Sequence, residues 1–328
     1  MSSAGATRSP LRRTTSLLVC LAMLLLAPVV IAADDEEQED KNGPTPADEA
    51  LKREVVDAYA AQLKAAQSIE FRYTVTYSGG RRECRYARDG ERFRHGHILI
   101  GRDGEVSMPH DVAYDGKTSY YRMSEDRVAT SGSADHFRKG APLPDEDLNT
   151  YPAQAYGWES TRGVDYEFRS AREVEFDGLD CVEMKFDVLG RRRNEVLIIR
   201  HAKEHGYWPV HVWRARPGVM PSYEMVALRF AKSVADGKAV YYPLYFESCE
   251  FNRRGNRRSV FAVDEATLKV NQPIDPSRFM IATFPWDRVS DYETGKRKEA
   301  EDPVAKPDAR MGFPFEVMLE ALARAQPS

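Results

Sequence analysis

The sequence is poor in cysteine and lacks the short motifs that usually mark an enzyme. Only four of its 328 residues are cysteines, and none of them forms a Cys-x-x-Cys pair. This excludes a disulfide-rich scaffold, a zinc knuckle and a thioredoxin-like site. A Gly-x-Ser-x-Gly elbow, a glycine-rich phosphate loop and a dinucleotide fingerprint are also missing. We therefore predict that the protein binds no cofactor and is not an enzyme.

Long apolar runs are also lacking, except for residues 17–31 near the N-terminus. Arg8, Arg12 and Arg13 precede this run, and Ala32 and Ala33 follow it. A basic start, a short apolar run and small residues at its exit are typical of a secretory signal peptide. A membrane-spanning helix needs ~20 apolar residues, which makes an uncleaved anchor the weaker alternative. The pattern predicts a signal peptide over residues 1–32 and a periplasmic or secreted protein.

The sequence also has no excess of positive charge. The net charge is -4, and removal of the three signal-peptide arginines makes the remaining chain more acidic still. This argues against a nucleic-acid partner. Cys84, Cys181 and Cys249 remain after the signal peptide. They allow at most one intrachain disulfide, whose pairing the sequence leaves open.

The rest of the chain divides by composition. Residues 33–48 are predicted to be a disordered acidic linker, because charged residues are followed there by Asn42-Gly-Pro-Thr-Pro46. Residues 49–290 are predicted to form one domain, with an insertion at residues 125–163 that is rich in Gly, Pro and Ser. Residues 291–328 are predicted to be a charged tail that ends in a short amphipathic helix.

Within the domain, a helical period gives way to a period of two. Leu51, Val55, Tyr59 and Leu63 recur every four residues, which predicts an amphipathic helix with Asp48 as its N-cap. The following segment alternates strictly between apolar and polar residues, with its apolar positions at Ile69, Phe71, Tyr73, Val75 and Tyr77.

Many further short runs with strand character follow, joined by turns such as Asp89-Gly90, Asp115-Gly116 and Asp177-Gly178. Aspartate-glycine turns between alternating runs predict β-hairpins. The predicted fold class is α+β, mostly β: a large curved antiparallel sheet, or open half-barrel, with an N-terminal helix and a few covering helices.

Several segments together resemble the LolA/LolB-like lipoprotein-carrier superfamily, which includes LppX-type lipoproteins and the sensor domain of RseB-like regulators. The resemblance covers residues 51–286. The segments that carry it are the helix running into Ser68–Tyr77, the segment Tyr114-Asp-Gly-Lys-Thr118, residues 174–188 and 196–213, and Gln272-Pro-Ile-Asp-Pro-Ser-Arg-Phe279.

The resemblance implies a curved sheet whose concave apolar face holds an acyl chain or a hydrophobic peptide. A curved sheet with few covering helices also leaves room for a cavity. The open alternative is that the candidate side chains only pack beneath the N-terminal helix. The candidate ligand-binding residues are Phe71, Tyr73, Val75, Tyr77, Val182, Met184 and Phe186.

Two histidine patterns raise the question of a metal site. His201-Ala-Lys-Glu-His205 matches an inverted zinc-protease motif. That chemistry needs a helix, whereas the flanking residues predict strands and place the motif in a hairpin loop. His95 and His97 share one face of a predicted strand, but no third ligand is evident. We therefore predict no metal site.

The leading hypothesis is an exported binding protein that shelters a hydrophobic ligand, either a lipid or the acyl chain of a lipoprotein. One alternative is an envelope sensor or interaction domain with a peptide or protein partner. Another is an exported hydrolase with an unrecognised site. Arginines at residues 191–193 and 253–258 suggest transient contact with an anionic membrane surface as a further hypothesis.

Overall fold

The computed structural model describes the chain from the N-terminal helix to the last strand pair, with gaps. The predicted signal peptide, most of the linker and insertion, and the C-terminal helix lie outside the described residues. The described ranges are 43–124, 127–132, 166–189, 195–216, 221–235, 237–251, 255–281, 288–291 and 294–298.

The N-terminal helix, α1, spans Pro46–Ala65 and begins earlier than predicted. Its N-cap is Thr45, whose hydroxyl accepts a hydrogen bond from the backbone N–H of Asp48 at 3.2 Å. The Asp48 carboxylate in turn accepts from the backbone N–H of Thr45 at 2.7 Å. This capping box, with Pro46 in the first turn, places Asp48 inside the helix rather than at its cap. Three residues of the predicted linker are therefore helical.

The described strands form one open, curved sheet, as the fold class predicts. Its fifteen described strands lie in the order β15-β14-β6-β5-β4-β3-β2-β1-β13-β12-β11-β10-β9-β8-β7. The strands are β1 (Ser68–Tyr77), β2 (Gly80–Asp89), β3 (Arg92–Gly101), β4 (Val106–Tyr114), β5 (Ser119–Ser124), β6 (Arg127–Ser131), β7 (Tyr166–Phe176), β8 (Leu179–Val188), β9 (Glu195–Ala202), β10 (Trp208–Ala215), β11 (Pro221–Ala235), β12 (Lys238–Glu250), β13 (Arg257–Val270), β14 (Arg288–Asp291) and β15 (Arg297–Lys298).

One described pairing departs from the predicted antiparallel sheet, because β14 runs parallel to β6. A hairpin forces neighbouring strands to be antiparallel, whereas a long connection permits either direction. The chain reaches β14 only after the segment 271–281, which crosses other strands. Two strands also lie where no sheet was predicted: β6 lies within the predicted insertion and β15 within the predicted tail.

Strand β1 lies between two wings of the sheet, pairing with β2 on one side and β13 on the other. We call β7–β12 with α1 the helix wing, and β2–β6 with β14 and β15 the histidine wing. We call the face of the sheet that α1 covers the helix-side face, and the opposite face the far face. The main core lies between α1 and the helix-side face, around Val55, Tyr59, Met184 and Ile199.

A second layer covers part of the far face. Phe279 is fully buried there with Ala87 and Ile274, and Ile281 packs with Ala113 and Val128. Within the described part of the chain, no helix has the length and apolar character needed to cross a bilayer.

Candidate functional site

An apolar cavity of about 120 Å³ lies on the helix-side face, beside the C-terminal end of α1. Alternation along β1, β2, β12 and β13 turns every second side chain toward it. Its described lining residues are Ala66, Ile69, Phe71, Tyr86, Arg88, Trp208, Tyr242, Pro243, Leu244, Phe261, Val263 and Leu268.

Aromatic contacts fix the walls of the cavity. The rings of Tyr59 and Trp208 meet edge to face, with centroids 5.1 Å apart. The centroids of Trp208 and Tyr242 are 6.2 Å apart, and Phe71 lies 5.4 Å from Tyr86. Because large rings packed in this way have little rotamer freedom, the cavity walls are held in place by the core around them.

Four polar side chains interrupt this apolar lining, namely those of Tyr86, Arg88, Trp208 and Tyr242. A guanidinium N–H of Arg88 donates to the carbonyl oxygen of Ala66 at 2.5 Å, at the end of α1. The indole N–H of Trp208 and the hydroxyl of Tyr242 are buried without a hydrogen-bond partner among the described residues. Burial raises the pKa of Tyr242 to about 12, although the nearby charge of Arg88 opposes the rise. The phenol is therefore protonated at neutral pH.

Of the seven predicted ligand-binding residues, Phe71 lines the cavity. Tyr73, Val182, Met184 and Phe186 are buried in the main core, and Val75 lies there too. Tyr77 is only half-buried, and its ring lies 5.9 Å from the guanidinium of Arg82. The structure therefore places six of the seven in or against one core cluster on the helix-side face. Their role in ligand binding remains a prediction.

Most of the described cavity-lining residues are not among the ligand-binding residues predicted from the sequence. Trp208, Tyr242, Leu244 and Phe261 come from β10, β12 and β13. The alternation of Tyr242 with Leu244 indicates a strand with one buried face. It does not indicate that this strand would lie two positions from β1 in the sheet.

The zinc-protease motif is not helical. His201 is in β9, fully buried, with Nδ1 2.9 Å from the carbonyl oxygen of Tyr207. His205 is in a 3-10 turn, Lys203–His205, and stacks on Phe230 with ring centroids 4.4 Å apart. The predicted loop is therefore shorter than expected, since His201 and Ala202 end β9 and the turn holds only Lys203–His205. The motif lacks the helical spacing that its chemistry needs.

The histidine wing supplies the third histidine that the sequence did not reveal. His97 faces His110 across the β3–β4 ladder, with ring centroids 4.8 Å apart. His95 lies 6.0 Å from His97 and its Nε2 is 2.5 Å from the hydroxyl of Tyr73. Burial lowers the pKa of His95 to about 4 and that of His97 to about 3, with neighbouring His110 and Arg82 contributing. No group of three ligands in the described ranges is arranged to hold a metal ion.

The three remaining cysteines are free thiols. Cys84 and Cys181 are buried and Cys249 is half-buried. Burial raises the pKa of Cys84 to about 12 and that of Cys181 to about 11, which makes both thiols unreactive at neutral pH.

No protein-family model and no curated protein matches the chain. Several solved structures do. A putative outer membrane lipoprotein-sorting protein domain from Vibrio parahaemolyticus is 9% identical, with a TM-score of 0.43, over 68% of this chain and 95% of that one. LolA superfamily protein NE2245 from Nitrosomonas europaea is 12% identical, with a TM-score of 0.36, over 67% of this chain and 96% of that one.

MucB is 11% identical, with a TM-score of 0.25, over 67% of this chain and 94% of that one. Structures of MucB in complex with MucA also match. At identities of 9–12% and TM-scores below 0.5, no functional conclusion follows from them.

Proposed function

We propose that the protein is an exported binding protein that shelters a hydrophobic ligand, a lipid or the acyl chain of a lipoprotein, on the helix-side face of its curved sheet. The apolar cavity beside the end of α1 is the observation that carries the proposal. The signal-peptide pattern of residues 1–32 supports a periplasmic or secreted location.

The lining accounts for affinity by the hydrophobic effect. Among the described lining residues Arg88 alone carries a charge, and most of the others are aliphatic or aromatic. Each methylene transferred from water into such a site contributes about 0.8 kcal/mol. Four or five methylenes would therefore account for an affinity gain of about a hundredfold or more.

A filled-cavity variant tests this proposal. Leu268 lines the cavity and is half-buried, so Leu268→Trp adds a ring that can enter the space. Leu228 is 49% exposed and is not among the lining residues, so Leu228→Trp is the matched control. We expect Leu268→Trp to weaken binding of the uncharged probe N-phenyl-1-naphthylamine by about tenfold or more. Fluorescence titration of the full chain measures this. Equal binding by both variants would count against the cavity.

The alternative of a sensor or interaction domain is favoured by one surface feature. Residues 227–235 and 238–244 form a two-stranded ribbon, in which β11 and β12 pair with each other but not with β10 or β13. This ribbon exposes Leu228 and Val234, and the latter is 71% exposed. A protein partner that covered Leu228 and Val234 would remove their apolar surface from water, which favours association. If Leu268→Trp leaves probe binding unchanged, this ribbon becomes the first surface to examine for an envelope partner.

A further inference from the structure

The polar atoms of the cavity carry information about the ligand that the apolar lining does not. Trp208 and Tyr242 are each only 8% exposed to solvent, and both line the cavity. The Trp208 Nε1 and the Tyr242 hydroxyl have no hydrogen-bond partner in the described part of the chain. Buried polar groups in folded proteins are nearly always hydrogen-bonded. Two such groups around one cavity indicate that a ligand supplies the partner.

The chemistry of these atoms limits what that partner can be. An indole N–H only donates a hydrogen bond. A Tyr242 phenol with a raised pKa keeps its proton and can donate as well. Arg88 adds a permanent positive charge to the wall, and no Asp or Glu is among the described lining residues. The cavity therefore presents donors and a positive charge, without a negative group to oppose an anion.

We propose that the cavity binds a free aliphatic carboxylic acid, whose carboxylate accepts hydrogen bonds from Tyr242 and Trp208 beside the charge of Arg88. This inference rests on the proposed function and adds the class of ligand to it. A carboxylate supplies two acceptor oxygens, and hydrogen bonds to an ionised acceptor are about twice as strong as neutral ones. A neutral alcohol offers a weaker acceptor, and an ammonium group offers none.

The size of the cavity sets the length of chain that it shelters. Its volume is about 120 Å³, close to that of an engineered cavity of roughly 150 Å³ that binds benzene. It therefore holds about five or six non-hydrogen atoms, the carboxylate head group included. A longer acid would extend out of the open side of the cavity.

Three ligands with one tail and different heads test the assignment. Isothermal titration of the full chain with octanoate, 1-octanol and octylammonium at neutral pH compares anionic, neutral and cationic heads directly. We expect octanoate to bind about tenfold more tightly than 1-octanol, and octylammonium to bind most weakly.

The variant Tyr242→Phe removes only the hydroxyl. We expect it to weaken octanoate binding about tenfold without lowering the melting temperature of the ligand-free protein, since the lost hydroxyl has no hydrogen-bond partner among the described residues. Trp208→Phe removes the indole N–H and is expected to act in the same direction. Tyr241→Phe is the control, because Tyr241 is next to Tyr242 in β12, is half-buried and is not among the cavity-lining residues.

The outcomes separate this inference from the proposed function. Equal affinity for octanoate and 1-octanol, or octanoate binding that Tyr242→Phe leaves unchanged, overturns the carboxylate assignment. Binding of 1-octanol would then still report an apolar ligand site. If none of the three ligands binds, the assignment and the proposed function both fail.

Discussion

On the helix-side face, the two wings of the sheet bury different kinds of side chain. In the helix wing, the helix-side face carries Met184, Ile199 and Met225, which are fully buried in the main core with residues of α1. In the histidine wing, the same face carries His95, next to His97 and His110. Burial holds the pKa of His95 and of His97 far below the usual value, so both rings are neutral at physiological pH. A neutral imidazole can pack as a flat ring, which explains how one face accommodates both kinds of side chain.

The far face shows a parallel contrast between ion pairs. In the histidine wing, Arg94 donates three hydrogen bonds to the Asp111 carboxylate, and both side chains are almost fully buried. In the helix wing, Arg169 makes a similar pair with Asp187, but their side chains are 28% and 35% exposed. Arg94 also donates to the carbonyl oxygen of Met280 at 2.9 Å. The buried pair thereby fastens the segment 271–281 to the sheet.

The largest expected effect comes from breaking the buried pair. Asp111→Ala leaves the charge of Arg94 buried, which typically lowers the free energy of unfolding by about 3–5 kcal/mol. Asp187→Ala breaks the half-exposed pair and should lower it by about 1 kcal/mol or less. Urea denaturation of both variants measures the difference. Equal losses would show that burial does not distinguish the two pairs.

An intermediate effect is expected from two turn glycines with similar backbone conformations. Gly206, in the helix wing, has a φ of 61°, and Gly90, in the histidine wing, has a φ of 57°. A Cβ at Gly206 would meet Nε2 of Gln62 at 1.4 Å, whereas a Cβ at Gly90 meets nothing within 4 Å. Gly90→Ala should therefore lower the free energy of unfolding by only about 1–2 kcal/mol, which is the strain of an alanine in the left-handed backbone conformation. Gly206→Ala should lower the free energy of unfolding by about 1–3 kcal/mol more than Gly90→Ala, because the added methyl group overpacks against Gln62.

Thermal or urea denaturation compares the two glycine variants, and Gln62→Ala provides the check. Gln62 also bonds the backbone of Gly206 and of Tyr241, so its removal has a cost of its own. If the clash is the cause, the double variant Gly206→Ala with Gln62→Ala loses less stability than the sum of the single losses. Additive losses would assign the cost of Gly206→Ala to its backbone alone.

The smallest expected effect concerns acid stability. His95 has a folded-state pKa of about 4, below its usual 6.5. Between these values the unfolded chain binds a proton that the folded chain does not, so its stability falls as the pH is lowered. The contribution of His95 amounts to about 1–2 kcal/mol between pH 7 and pH 5.

His95→Gln should remove that part of the pH dependence. The measurement is the free energy of unfolding of wild type and variant at pH 7, 6 and 5. The two curves should converge as the pH falls, because only the wild type loses the contribution of His95. Parallel curves would mean that His95 is not buried in its neutral form.

Local patterns in the sequence predicted much of the fold. The alternation from Ile69 to Tyr77 matches β1, and the turn Lys203–His205 falls within the loop predicted at residues 201–205. Thr45 and Asp48 have the spacing of a capping box, so the cap lies three residues before the predicted position at Asp48. Such features depend on neighbours within a few residues, which is why the sequence reveals them.

The cavity and the histidine cluster depend on contacts that are distant along the chain. Phe71 and Phe261 meet around one cavity because β1 pairs with β13, and His97 meets His110 because β3 pairs with β4. Each strand pattern shows that one face is buried, but it does not name the strand beside it. Polar residues on a buried face, such as His95, were also ambiguous until their partners were known.

The sequence by itself determined the period of each element, the positions of the turns and the presence of a one-sided sheet, because these follow from local backbone preferences and from the burial of apolar side chains. Only the tertiary structure decided which strands adjoin β1, where the cavity opens and which polar atoms it leaves unpaired. The physical reason is that these features arise from the order of strands in the sheet, and many orders bury the same apolar faces.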